Sequence, residues 1–336
     1  MKYIPILKYK ERIDLSAYDK LEININDDIT PLIELFQEEK IQMSRISENK
    51  SFFCSILTER NLEFDTAVEM YIEAKNYHKN LIPVINSDYK YTSISKKDLV
   101  KSAKKLYANF DSVALKINGV KSFYLPDELE TILLLRDNLQ DMTVFLDIDF
   151  AFKHEYASMI KIFSKAMDAV HNKLDDAISN FVLCGSIVSV SSSGLKTFDG
   201  DQEFNIRKNE LLKVFHALSG TYSEYNLKYG DYTIDEKNMF TDDVGGGTFF
   251  PSVKYTDENG DICIYKSEER NEFDKYKKIA NLISEREDYD KEHCLGCGYI
   301  DSIITENAGG KNTGSPSTWK YNMMAHHMRR MIQILG

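Results

Sequence analysis

Five charged side chains interrupt short apolar runs in this chain: Lys8 in YIPILK, Glu34 in PLIEL, Lys116 in VALKI, Asp147 in FLDI and Asp231 in YGDY. A charge inside an apolar run must be paired or must reach a solvent-filled mouth, because its desolvation is costly when nothing compensates it. Gathered at one place, the two lysines would hold an anion. The three carboxylates would orient a cation or serve as general acid and base. Near the C-terminus stand two more groups with chemistry to offer, the Cys294-x-x-Cys297 knuckle and the adjacent pair His326 and His327 in WKYNMMAHHMRRMIQILG.

Helical geometry limits what the histidine pair can do. At about 100° per residue, Met324, Met328, Met331 and Leu335 form one stripe with His327 at its edge. His326 points the other way, beside Arg330 and Gln333, and reads as a surface residue. Two ligands of one ion on a helix need a spacing of about one turn, so the pair cannot share a metal. His327 is then either core or a pocket residue facing the rest of the fold. The cysteine knuckle has the spacing to give zinc two thiolates, which is half of a structural site. Its partners would have to be Cys263, His293 or a terminal histidine, and the expectation is a loop with free thiols, no assigned metal and an unknown cofactor. Gly245-Gly246-Gly247 lacks the spacing of a phosphate loop and reads as a flexible turn. SSSG at 191–194 has no nucleophile-elbow frame, so acyl chemistry has no support.

The elements that must position these groups follow from eight apolar runs, at 3–8, 29–35, 51–57, 81–86, 112–118, 142–148, 181–189 and 227–234. They are nearly continuous rather than alternating, as strands of a parallel sheet buried on both faces are. Helical patterns lie between many of them, including FDTAVEMYIEAKNYHKN with Asp65 as candidate N-cap, PDELETILLLRDNL behind Pro126, and FKHEYASMIKIFSKAMDAVHNKL. Strand and helix in alternation predict an α/β fold, and eight units predict a TIM-type (β/α)8 barrel, with an open doubly wound sheet as the competitor. Such a barrel carries its chemistry at the C-terminal ends of the strands, which is where the five charges stand. The chain is read as one domain, 1–336. From residue 235 it forms a last hairpin turning at Glu258-Asn259-Gly260, then a helix, Cys/Gly-containing loops and a closing helix.

Composition removes several function classes. The net charge of −11 is spread along the chain, and no lysine or arginine block marks a polyanion binder. Lys96, Lys97, Lys101, Lys104 and Lys105 fit the solvated face of one amphipathic helix. No run approaches the roughly 20 apolar residues of a membrane span, and the N-terminus turns charged at Lys8. Five cysteines, an odd number mostly isolated in apolar runs, predict reduced thiols and a cytoplasmic setting without a membrane.

Taken in order, YIPILKYK, ITPLIEL, IRKNELLKVF, YGDYTI, VKYT and STWKYNMMAHHMRRM resemble the phage and bacterial beta protein family. The resemblance spans nearly the whole chain. It implies a TIM-type barrel found in phages, prophages and bacterial mobile or defence islands, with no settled activity. It singles out Lys8, Glu34, Asp147, Arg207, Glu210, Gly230, Asp231, Tyr232, Tyr255, Trp319, His326 and His327. Lys116 stands where an arginine would be more usual, and SFFCSILTE lacks an aspartate that the strand would be expected to carry.

Three functions follow as expectations. The first is a phage- or mobile-element-linked, anti-phage module whose barrel mouth binds a charged small molecule or nucleic-acid component. Glu34, Asp147, Asp231 and His327 would be its catalytic groups, and Lys8, Lys116, Arg207, Glu210, Tyr232, Tyr255 and Trp319 would contact ligand. The second is a metal-dependent phosphodiester hydrolase. The third is a non-catalytic subunit whose protein partner, encoded nearby, is a nuclease or toxin.

Overall fold

The computed structural model describes all residues except 1, 10–13, 20, 22–28, 37–49, 58–61, 92–94, 121–126, 136–141, 175–177, 190–203, 238–249, 268–273 and 306–312. Eight parallel strands close into a barrel: β1 (Tyr3–Lys8), β2 (Leu32–Phe36), β3 (Phe52–Leu57), β4 (Leu81–Asn86), β5 (Ala114–Asn118), β6 (Met142–Asp147), β7 (Ile178–Gly185) and β9 (Asn226–Asp231), which pairs back onto β1. Around it, among the described residues, run α1 (Asp14–Asp19), α2 (Phe64–Lys75), α3 (Lys96–Asn109), α4 (Asp127–Leu134), α5 (Tyr156–Leu174) and α6 (Glu210–Thr221). All eight expected strands are present, and the closed barrel rules out the open sheet.

The strands are apolar on both faces because each face has its own core. Ile4, Ile6, Leu32, Phe53, Val84, Ala114, Phe145 and Val182 fill the lumen. The alternate residues pack outward against the helices, as the period of two requires. On the helix side the same logic gives α3 a buried stripe of Leu99, Ala103 and Leu106, with the five lysines of that segment exposed. Asp65 is not the cap of α2. Glu63 takes that position, and Asp65 sits in the first turn, accepting from Thr66 N.

The C-terminal region is a layer laid against the barrel. β10 (Ser252–Thr256) and β11 (Ile262–Lys266) form the expected hairpin, with Gly260 at φ 81° in the turn. A short strand that the sequence reading lacks, β8 (Asn205–Arg207), adds to β11. Then follow α7 (Lys275–Ser284), α8 (Leu295–Thr305) and α9 (Pro316–Leu335). Cys297 therefore lies in a helix, not in a loop. Ser315 caps α9 by accepting from Thr318 N, and Pro316 stands in its first turn, where no amide is needed. α9 packs on β1, β10, α1 and α8 at once, so it is buried around most of its circumference. Among the described residues, no helix is long and apolar enough to cross a membrane.

Candidate functional site

The lumen changes character at one level. Two residues beyond each apolar lumen residue the strands carry Lys8, Glu34, Ser55, Asn86, Lys116, Asp147 and Cys184, forming a polar layer at the C-terminal ends. Each of these is at most 1% exposed. At its centre the Lys116 ammonium donates to Glu34 Oε1 and to Tyr232 Oη at 2.9 Å, and lies 3.2 Å from Asp147 Oδ2, which uses all three of its N–H groups. Tyr232 donates its own proton to Asp147 Oδ2 at 2.6 Å. Lys237, from the segment after β9, reaches the same oxygen at 3.0 Å and also bonds Asp149 and Asn118. Asn86 links this network to Ser55 by donating at 2.7 Å.

Electrostatics fix the protonation states. Burial opposes the charge of Lys116, but Glu34 and Asp147 outweigh it and hold the ammonium above the usual lysine range. Burial also works against Asp147, yet Lys237 and Lys116 hold its carboxyl well below the ordinary carboxylate range. Burial and the two carboxylates keep the Tyr232 phenol protonated. Cys184 is pushed far above the thiol range by burial and Asp147, so it is no nucleophile. Lys116 is likewise a fixed cation, not an amine nucleophile. Among the described residues, Glu34 Oε2 is buried without a hydrogen-bond partner, which leaves the network an unused acceptor.

Asp231 and His327 do not join this layer. On β9, Gly230 and Tyr232 face the lumen, so Asp231 between them faces outward. There it accepts from Tyr3 Oη at 3.0 Å and Thr233 N at 2.9 Å, and meets His327 Nε2 at 3.1 Å. His327 Nδ1 takes Thr256 Oγ1 at 2.9 Å, and neither Asp231 nor His327 is exposed. The pair ties α9 to β9 and β10. His326 is a second departure. It is wholly buried, bonding the Thr256 carbonyl through Nε2 at 2.8 Å and stacking on Tyr255 with ring centroids 4.4 Å apart. The helical-wheel reading put it at the surface because it assumed one buried face, and α9 has several.

The segment Asp231–Lys237 organises the mouth. Asp231 holds Thr233 in a left-handed conformation, φ 56°, which a β-branched residue rarely adopts. Asp147 does the same for Asp149, φ 64°, by accepting from its amide. From that turn Tyr232 enters the lumen while Asp235 points to Lys320 at 2.7 Å and Lys8 at 3.9 Å. Lys8 also donates to the Glu236 carbonyl, so its chain leans to the rim and not to Lys116. Beside them lies a cavity of about 220 Å³ lined by Asp235, Lys254, Lys320, Phe250, Tyr276 and Trp319. Lys254 donates to the Ile234 carbonyl at 2.9 Å. Burial, only partly offset by Asp235, pushes its amine down to about 8. Lys320, Lys8 and Lys254 outweigh burial at Asp235 and hold that carboxyl below its ordinary value.

Of the residues expected to act together, the structure joins Glu34, Lys116, Asp147 and Tyr232, and places Lys8 and Trp319 at the adjacent rim. Arg207 and Glu210 line a different cavity, about 200 Å³, with Phe152 and Lys208. Tyr255 is buried against His326. Sequence reasoning passed over Ser55, Asn86, Asp235, Lys237, Lys254 and Lys320. Ser55 and Asn86 stand at the same strand position as Glu34 and were legible by that rule. Lys254 alternates with apolar residues along SVKYT, which hid its neighbourhood.

Residues 3–333 match a family model described as Beta protein. The chain belongs to the Beta protein family. No curated protein and no solved structure matches it. In this chain the strand-end residues Glu34 and Asp147, with Tyr232, belong to the polar layer that caps the lumen, while Asp231 and His327 belong to the seam between barrel and C-terminal layer.

Proposed function

We propose that the barrel mouth binds an anionic small molecule, with its acidic group on Lys254 and Lys320 and its apolar body against Phe250, Tyr276 and Trp319. One observation carries the reading: Lys320 and Lys8 pair with Asp235 on the wall of a cavity that Lys254 also lines, and burial, only partly offset by Asp235 and Glu236, holds Lys254 below its ordinary pKa. A cation whose burial is under-compensated gains from any anion that reaches it. The lumen network then acts as a rigid floor, its charges already paired. A nucleotide, with phosphate and base, has the required chemistry, which agrees with a charged ligand or nucleic-acid component and with a cytoplasmic, phage- or mobile-element-linked role.

The geometry favours this over a metal-dependent hydrolase at Glu34 and Asp147. Asp147 Oδ2 is taken by Tyr232, Lys116 and Lys237, and Oδ1 by the Asp149 amide, so a metal there would have to displace two ammoniums. Thermal unfolding in the presence of mononucleotides, sugar phosphates and dicarboxylates tests the proposal. A ligand at 100 times its Kd stabilises by about 2.7 kcal/mol, and that gain should vanish in Lys254→Met and Lys320→Met. No shift with any anion of the panel would refute it.

A further inference from the structure

Two residues of the cysteine knuckle and one of the terminal histidines meet where α8 crosses α9. Cys294 Sγ lies 3.7 Å from Cys297 Sγ, and His326 Nδ1 lies 3.5 Å from the first and 3.3 Å from the second. Zn–S bonds of about 2.3 Å and Zn–N bonds of about 2.0–2.1 Å put tetrahedral ligands roughly 3.4–3.8 Å apart, so the three atoms already stand at the edges of such a tetrahedron. His293 supplies a fourth group. Its ligand nitrogen, Cys294 Sγ and that of His326 lie within 4.8 Å of one another. His293 is 8% exposed, and its buried Nε2 has no hydrogen-bond partner.

The surroundings are those of a built site. His326 Nε2 is 2.8 Å from the Thr256 carbonyl, which can only accept. The proton therefore sits on Nε2, and the Nδ1 lone pair faces the two sulfurs, the outer-shell arrangement that orients a metal-bound imidazole. The Cys297 amide points at Cys294 Sγ at 3.4 Å. Between the cysteines is Gly296, where a Cβ would come within 2.4 Å of the Asn322 carbonyl and 3.1 Å of His326 Cβ. Only a glycine lets the knuckle approach α9 closely enough to share His326.

We propose that Cys294, Cys297, His326 and His293 bind one Zn²⁺ ion that clasps α8 to α9 and β10. Both thiols release their protons to solvent on binding, and two thiolates with two neutral imidazoles cancel the charge of the ion, as a buried site requires. With four protein ligands the site is closed to substrate, so its role is structural. It is independent of the anion pocket.

The test is metal content and cobalt spectroscopy of the full chain purified under reducing conditions without chelator. One zinc per chain is expected, and replacement by Co²⁺ should give the intense visible bands of a tetrahedral centre with thiolate charge transfer in the near ultraviolet. Cys294→Ser, Cys297→Ser and His326→Gln should each lose the metal, and His293→Ala should keep it with an altered spectrum. Should those variants fail to fold, wild-type protein stripped by chelator and titrated with Co²⁺ gives the same answer. Absence of stoichiometric zinc together with no Co²⁺ bands, a Cys294–Cys297 disulfide in place of metal, or bands that survive in the Cys294→Ser/Cys297→Ser double variant would overturn the proposal.

Discussion

Replacing Lys116 by Met removes the cation that pairs with Glu34. Glu34 has no exposure, and among the described residues its remaining side-chain contact is the Tyr232 hydroxyl at 3.3 Å, whereas Asp147 keeps Lys237 and Tyr232. Breaking a buried pair by removing one partner costs about 3–5 kcal/mol. An unfolding entropy of about 2.1 cal/mol/K per residue gives roughly 0.7 kcal/mol/K for a chain of this length. Tm should therefore drop by about 4–7 °C. Thermal unfolding reads this directly, and adding Glu34→Gln to the variant should restore most of the loss. An unchanged Tm in Lys116→Met, or no rescue by the second substitution, would refute the account of the lumen as a paired charge network.

Other consequences are as direct. Asp147 and Asp235 have depressed folded-state pKa values, so their contribution is present above the unfolded carboxylate value and is lost as pH falls below about 4; acid titration of Asp147→Asn should show a shallower loss than wild type across that window. Thr256→Val deprives His327 of its hydroxyl partner while keeping shape, and should cost about 1–3 kcal/mol in denaturant unfolding without changing anion binding. Gly296→Ala should disrupt the packing of α8 on α9, lowering Tm and zinc content together, because its Cβ has no room against the Asn322 carbonyl.

The barrel was legible because burial on both faces leaves unbroken apolar runs, and because one charge at the end of such a run has few places to go. That rule found Glu34, Lys116 and Asp147. It failed for Asp231, since a strand-end charge can face either side and only the register of β9 decides. The one-sided helical wheel failed at His326, because α9 packs against four neighbours, β1, β10, α1 and α8. The fourfold Cys/His cluster was half visible in the CxxC spacing. Its other half depends on the crossing of α8 and α9, which no spacing encodes. Lys254 and Lys320 are brought to one cavity from β10 and α9; they lie within VKYT and STWKYNMMAHHMRRM, but far apart in sequence, and nothing in either piece marks them as neighbours.

The most direct test of the anion pocket is calorimetric titration with a mononucleotide at pH 8 in buffers of differing ionisation enthalpy. Lys254, pushed down to about 8, is partly deprotonated there. An anion bound beside it should draw in a proton, with affinity weakening as pH rises further, and Lys254→Met should abolish both the uptake and most of the affinity. Binding with no proton uptake and an unchanged Kd in Lys254→Met would contradict the assignment of this pocket.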